Sequence, residues 1–476
     1  MVDGWRGRKV GLIEPETTTN PFSTHPSPLL TVTAKVIAGH LVVMNSWGYI
    51  SSFGVFQTYY ASTLGRSPSD ISWIGSFQIF LLFFIGVLTG RLTDGGYFRQ
   101  VMLTGIVFQG LGLFTTSAAT QYWQVFLAQG VCMGLGNGCL FCPSLAVVST
   151  YFKKRRALAI GIMASGTGTG GLVFPSIARQ LLPAVGFGWT VRTIGFIQLA
   201  TLAVVFFVLR PRLPPRRTGP FLELSAFKEL EYTFYACASF FVSNSPPSSS
   251  PLPPGPHSLC PAISWRSLAA GSGSGTNATG KVVNTLSRVP QCFLGLYFAF
   301  FYIASFGRDV IGLSYTEGLN LLLVLNGVGI PGRVLPNIVA DRVGPLTMFV
   351  PAAGLAGATM LAWTGVRSAA GLYVWVVFYG LFAGGIQSLF PAGISSLAPD
   401  MSKVGVRLGM IFTIVSFAAL TGAPIAGAIL AASGGGGRYR GAQIFAGVSM
   451  LVGCAFLVAA RVAKARKVPG GWKAKI

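Results

Sequence analysis

Arg333 lies inside a long apolar run, eight residues before Asp341, which on a helix places it about 12 Å from the polar end of that run. An unpaired cation at that depth in hydrocarbon costs about 2.5 to 3.5 kcal/mol on insertion scales, so an anionic or polar group should face it. Asn326 stands two helical turns earlier on the same face. The chemistry on offer is recognition of an anion, with Arg333 and Asn326 as candidate substrate ligands. The other reading is a strut, in which Arg333 snorkels or pairs with a helix C-terminus.

A second pattern concerns carboxylates at corners. Gly86-Val-Leu-Thr-Gly90-Arg91-Leu-Thr-Asp94-Gly-Gly-Tyr-Phe-Arg99 is a short polar hairpin between two apolar runs, and it returns as Arg333-Val-Leu-Pro-Asn337-Ile-Val-Ala-Asp341-Arg342-Val-Gly344. A carboxylate at a helix corner can accept hydrogen bonds from the N-terminus of a facing helix and pair with Arg. An Asp with neighbouring Arg at the end of two apolar runs half a chain apart looks like matched ends of two related halves; solvated turn residues following the positive-inside rule are the plainer alternative. Enzymatic chemistry finds no foothold. The His residues are His25, His40 and His257, with no His-Glu-x-x-His and no Gly-x-Ser-x-Gly elbow. The seven Cys are scattered, and Cys139 with Cys142 on one helix face read as small packing residues rather than metal ligands. We expect no metal, no cofactor and no enzyme.

The elements that must position these residues follow from composition. With 52% hydrophobic and only 10% charged residues, the chain belongs in a bilayer. Its net charge of +23 would suggest nucleic acid in a soluble protein, but the Lys and Arg collect at alternate ends of apolar runs. That is the positive-inside pattern, and it puts both termini in the cytosol with no basic domain left for nucleic acid. Runs long enough to span, about twenty residues, occupy 36–60, 71–90, 101–118, 123–152, 157–183 and 189–209, then 313–340, 346–364, 372–398, 408–432 and 444–460. The seventh span is split into two short pieces, 231–242 and 292–305, by a Ser/Pro/Gly-rich segment over 243–291 with the composition of a disordered linker. Such a segment has no place in mid-membrane. We read it as translated intervening sequence, an unspliced intron or gene-model error; a genuine insertion that breaks the helix is the alternative, and the sequon at Asn277 would then need lumenal exposure. The organisation expected is a tail over 1–30 without a cleavable signal peptide, a six-helix half over 31–210, a linker over 211–230, a second half over 231–460 and a basic tail over 461–476.

The two hairpins resemble the loop signature of the major facilitator superfamily. The run Tyr151-Phe-Lys-Lys-Arg-Arg-Ala-Leu-Ala-Ile-Gly through Ser165-Gly-Thr-Gly-Thr-Gly-Gly to Pro175, with Asn45-Ser-Trp-Gly, Pro68-Ser-Asp-Ile-Ser-Trp-Ile-Gly75 and Trp123-Gln-Val-Phe-Leu-Ala-Gln-Gly130, is similar to the fungal monocarboxylate-transporter-like branch of that superfamily. The resemblance covers nearly all of Leu30 to Leu457 except the insertion. It implies an all-α membrane protein of twelve transmembrane helices in two pseudo-symmetric six-helix halves, working by alternating access. It also implies gating residues on the cytoplasmic side, Asp94 with Arg91 and Arg99 as one latch and Asp341 with Arg342 as the second, and a latch that forms in only one state biases the equilibrium toward it. Gly95, where a basic residue usually follows the Asp, departs from the signature.

By the same resemblance the first, fourth, seventh and tenth spans line the central cavity, which adds Asn45, Tyr49, Asn137, Tyr302 and Gln387 as candidate substrate ligands; taken singly, each is the kind of residue that more often closes an interhelical hydrogen bond. In animal monocarboxylate transporters an Arg of the eighth span is thought to hold the substrate carboxylate, and Arg333 matches it. The Asp that accompanies that Arg appears here as Gly329 and the Lys of the first span as Ser51, so proton-coupled symport does not carry over. Gly161 to Gly171 strip one helix face to backbone, for close packing or for sliding. The expected function is secondary active or facilitative transport of a small organic anion, a monocarboxylate-like metabolite. The alternatives are an exporter of a neutral or amphipathic metabolite and a non-functional mis-spliced product. We expect a monomer in the plasma membrane rather than the vacuole.

Overall fold

The computed structural model describes residues 28–66, 68–152, 154–212, 223–239, 293–398, 404–432, 439–468 and 471. The N-terminal tail, the insertion over 243–291 with Asn277, Lys153, Lys403 and most of the Pro/Arg-rich linker lie outside them, as do most of the side chains of Gly422 to Gly427. The described chain is helical almost throughout. Helix α1 runs Pro28–Val43, then through a π-helical turn Met44–Gly48 into Tyr49–Ser51 and Phe53–Leu64. Helix α2 is Pro68–Phe84 with Gly86–Asp94, and α3 is Phe98–Ala118. Helix α4 is Tyr122–Val125, a second π-helical turn Phe126–Cys132, and Met133–Thr150. Helices α5 and α6 share the stretch Arg156–Ala164 and Gly166–Val208, divided where Gly186 adopts φ 78° and ψ 172°, a left-handed backbone that only glycine takes without strain. The second half comprises α7 (Leu230–Ser239 and Phe293–Ile311), α8 (Tyr315–Val343), α9 (Pro345–Ala362), α10 (Ala369–Leu397), α11 (Val404–Ala432) and α12 (Arg440–Lys467).

Local chemistry sets these limits. Ser314 and Glu317 form a reciprocal capping box at the start of α8, which satisfies backbone donors that the helix leaves open. Gly344 at φ 102° ends it, and Pro345 starts α9 in the position proline favours. Where α1 is distorted, Ser46, Ser51 and Ser52 each donate to the carbonyl four residues earlier at 2.8 Å, so the polar groups stay satisfied without water.

The two pieces of α7 pack on the same neighbour at the spacing of one continuous helix. Tyr235 donates to the Phe390 carbonyl of α10 at 2.7 Å, and the Leu296 carbonyl accepts from Tyr379 of the same helix at 2.8 Å. Phe390 and Tyr379 are eleven residues apart, about 16 Å of helix. Joining 242 directly to 292 would set Tyr235 and Leu296 twelve residues apart, about 18 Å.

The two Asp corners lie at one end of the bundle. Arg156, at the start of α5, reaches the Ser395 carbonyl near the end of α10, and Arg407, at the start of α11, reaches the Leu397 carbonyl two residues on. Arg407 is 1% exposed and clamped by two linker carboxylates, at 3.1 Å to Glu223 and 2.7 Å to Glu229. In sequence Arg407 is one basic residue among those at the ends of apolar runs; the fold makes it the anchor of the linker. Breaking such a buried pair costs about 3 to 5 kcal/mol.

Candidate functional site

The site is built from both halves around a central cavity. On the first half, the π-helical turn of α1 presents Trp47, α2 presents Phe83, and α4 presents Phe141 and Leu145; on the second, α7 brings Tyr297, α10 brings Gln387 and Phe390, and α11 brings Phe412. A π-helical turn inserts one residue and rotates the helix beyond it, a distortion common at functional sites. The free volume is about 30 Å³, room for a water or two and far below the roughly 300 Å³ at which metabolite pockets begin. As it stands, the cavity has no room for a metabolite.

Behind that wall stands the charge. Arg333 of α8 is 1% exposed; its Nη2 donates to Gln387 Oε1 at 2.6 Å, while Nε and Nη1 have no acceptor. A buried guanidinium with two nitrogens unmatched is costly unless an acceptor arrives. Tyr297 lies within electrostatic reach of it. A Cβ at Gly329 would collide with Arg333 Nη1, so the guanidinium fills the space beside that glycine.

The remaining sequence candidates do not converge on this point. Asn326 donates to Leu322 at 3.0 Å and turns its amide to Gly171 of α5. Asn45 donates to Thr201 of α6 at 2.8 Å, and the Tyr49 ring packs on Phe56 and on Phe174 of α5. Tyr302 hydrogen-bonds Ser72 of α2, joining the halves at the end away from the Asp corners, where Arg179 also donates to Asn320 at 3.0 Å. Asn137 is fully buried with neither amide atom bonded, one turn before Phe141. Of the seven, Arg333 and Gln387 are directly joined, and Gln387 lines the cavity.

The corners make cross-half contacts. Asp341 accepts from the backbone N–H groups of Ala157 and Leu158, each at 3.0 Å, at the first turn of α5. Asp94 abuts the first turn of α11, where a Cβ on Gly405 would lie 2.8 Å from its Oδ1. Each carboxylate sits at the positive end of a helix dipole from the other half. The cations are arranged otherwise than the hairpins suggested. Arg99 is exposed and lies over the Phe206 ring at 5.9 Å, Arg342 is exposed, and Arg156 from across the seam is within electrostatic reach of Asp341. Arg91 stays half-buried one turn before Asp94.

The aromatic lining went unmarked in the sequence because Phe and Tyr in apolar runs look alike whether they face lipid or cavity. Trp47 carried a signal: it sits well inside its span, whereas Trp concentrates at membrane interfaces.

Known proteins agree with this architecture. A family model described as Major Facilitator Superfamily matches residues 37–400. An MFS-type transporter of Gibberella zeae is 47% identical over 428 residues, covering 90% of this chain and 85% of that protein. The agnestins efflux protein of Paecilomyces divaricatus is 32% identical over 430 residues, covering 90% and 86% respectively. Among solved structures, the human organic anion transporter MFSD10 superposes with a TM-score of 0.61 at 15% identity, covering 91% of this chain and 100% of that one. A sequence match over most of the chain and a shared fold converge: the chain belongs to the Major Facilitator Superfamily.

Proposed function

We propose that this transporter exports an amphipathic organic anion by alternating access, with Arg333 holding the anionic group and the two Asp corners closing the cytoplasmic side. The observation that carries the proposal is Arg333 itself, buried behind Gln387 with Nε and Nη1 awaiting an acceptor. Export rather than uptake draws support from the efflux relative at 32% identity. It also fits the physics: an inside-negative potential favours outward movement of an anion by about 2.3 kcal/mol per charge per 100 mV. Among the described residues no carboxylate faces the cavity, and the acidic side chains sit at helix ends, so the potential and the cargo gradient are the natural driving forces. The basic residues at the corner end, Arg155, Arg156, Arg210, Lys464 and Lys467 among them, support a cytosolic reading of that end. Residues shared with the fungal monocarboxylate-transporter-like branch support membership there, and Gly329 and Ser51 set this chain apart from proton-coupled members. The plasma membrane is the matching location for an exporter.

A neutral cargo, with Arg333 as a strut, draws on the Arg333–Gln387 hydrogen bond. Reconstituted vesicles separate the two. Arg333→Gln is expected to abolish efflux of organic anions while Arg333→Lys retains a fraction; undiminished anion efflux by Arg333→Gln would refute the anchor.

A further inference from the structure

Trp47 of α1 and Tyr297 of α7 form an offset stack across the boundary between the halves, with ring centroids 5.7 Å apart and planes 10° from parallel. Aromatic side chains close the edges of this stack: Phe83 meets Trp47 at 5.2 Å, Phe141 meets it edge-on at 5.7 Å, and Phe412 reaches Phe83 and Phe141 at 5.1 and 5.8 Å. All five line the central cavity. Resting on the reading of Arg333 as the anion anchor, we propose that Trp47 and Tyr297 are the two jaws of a cargo site for a planar aromatic acid, which slides between them when the halves part.

Three observations support a cargo site over a static seam. The stack lies in the space both halves share, so rocking of the halves must separate these rings. The polar end of the site is incomplete, because Arg333 acts on Tyr297 and still has two nitrogens without an acceptor. And α1 abandons regular helix over Met44–Gly48, the turn that carries Trp47. When the jaws open, each ring loses its partner face. A planar aryl group restores both faces at once, whereas a saturated body of equal volume offers area without ring-to-ring attraction. Its carboxylate or acidic enol oxygen then points to Arg333 and Gln387. The Trp47–Tyr297 contact thus closes the empty carrier and selects its cargo.

The test compares 2-naphthoate with decahydro-2-naphthoate, which share charge and approximate volume but differ in planarity, by titration against the purified full chain. Wild type is expected to bind 2-naphthoate about tenfold more tightly, the order set by aromatic pairing. Trp47→Leu and Tyr297→Leu should each bring that ratio close to one, and the milder Trp47→Phe should leave an intermediate ratio even if a leucine variant does not fold. Equal, Arg333-dependent affinity of wild type for both acids, or a ratio that survives Trp47→Leu, overturns the jaws and leaves the anchor standing. Binding of both acids that Arg333→Gln does not weaken overturns the anchor instead, and no binding of either acid overturns both.

Discussion

The seams where the halves meet, α5 against α8 and α2 against α11, share one construction and differ in what runs along them. Both are glycine-lined. A Cβ at Gly161 would lie 2.7 Å from the Arg333 carbonyl, and one at Gly409 would lie 2.7 Å from the Val87 Cα. Both end in an aspartate at the facing helix N-terminus. Between its corner and the far end, however, the α2 and α11 seam meets through rings, Phe83 on Phe412 and Phe84 on Phe417, and the chain carries no charge there from Ile71 to Gly90. The α8 seam holds Arg333 and Asp341 on one helix. If Arg333 holds the cargo's charge and Asp341 latches the corner, as proposed above, the two lie on a single rod, and an anion that draws on Arg333 also bears on the Asp341 contact. On that proposal the α8 seam both senses and closes, whereas the α2 and α11 seam only closes.

The strongest way to break that distinction is to wedge each seam. Gly161→Leu and Gly409→Leu push on backbone and should both cut transport by up to about a hundredfold, since overpacking costs about 1 to 3 kcal/mol. Only Gly161→Leu should also weaken anion binding, which titration of the two variants would reveal. Next in size is Gly329→Asp. Its carboxylate would meet the flexible end of Arg333 and occupy the anchor, lowering anion affinity about tenfold or more by the usual worth of a buried charge contact; unchanged affinity would detach Arg333 from the cargo.

Smaller effects are expected at the corners. Removing a capping carboxylate costs about 0.5 to 2 kcal/mol, so Asp341→Ala and Asp94→Ala should each open the corner end by several-fold, read from labelling of a cysteine introduced at that end. Asp341→Ala should do more, because it strips two backbone donors and the counter-charge of Arg156. Arg99→Ala and Arg342→Ala, at exposed positions, should change transport by less than about twofold, the scale of surface charges.

Much of the fold could be read from the sequence because a bilayer leaves few options: lengths of apolar runs marked the spans, and the Gly90-Arg-Leu-Thr-Asp94 corner with its looser echo at Asp341-Arg342 marked the paired corners. Even the split α7 was visible as two runs too short to cross alone. The site was only partly legible. Arg333 announced itself as a charge in hydrocarbon, but the direction of a side chain depends on helix rotation, and two π-helical turns shift that rotation in α1 and α4. Asn45 and Tyr49 therefore face α6 and α5 instead of the cavity, while Trp47 faces it. The Arg407 clamp joins residues 184 positions apart, a distance over which single-sequence patterns say nothing.

The central claim is that Arg333 carries the charge of the cargo through the membrane. Capacitive current from vesicles adsorbed on a solid-supported membrane tests it directly, with 2-naphthoate applied to wild type and to Arg333→Gln at matched protein density. A negative charge displacement in wild type that disappears in the variant is the predicted result. Currents of equal size in the two would contradict the account.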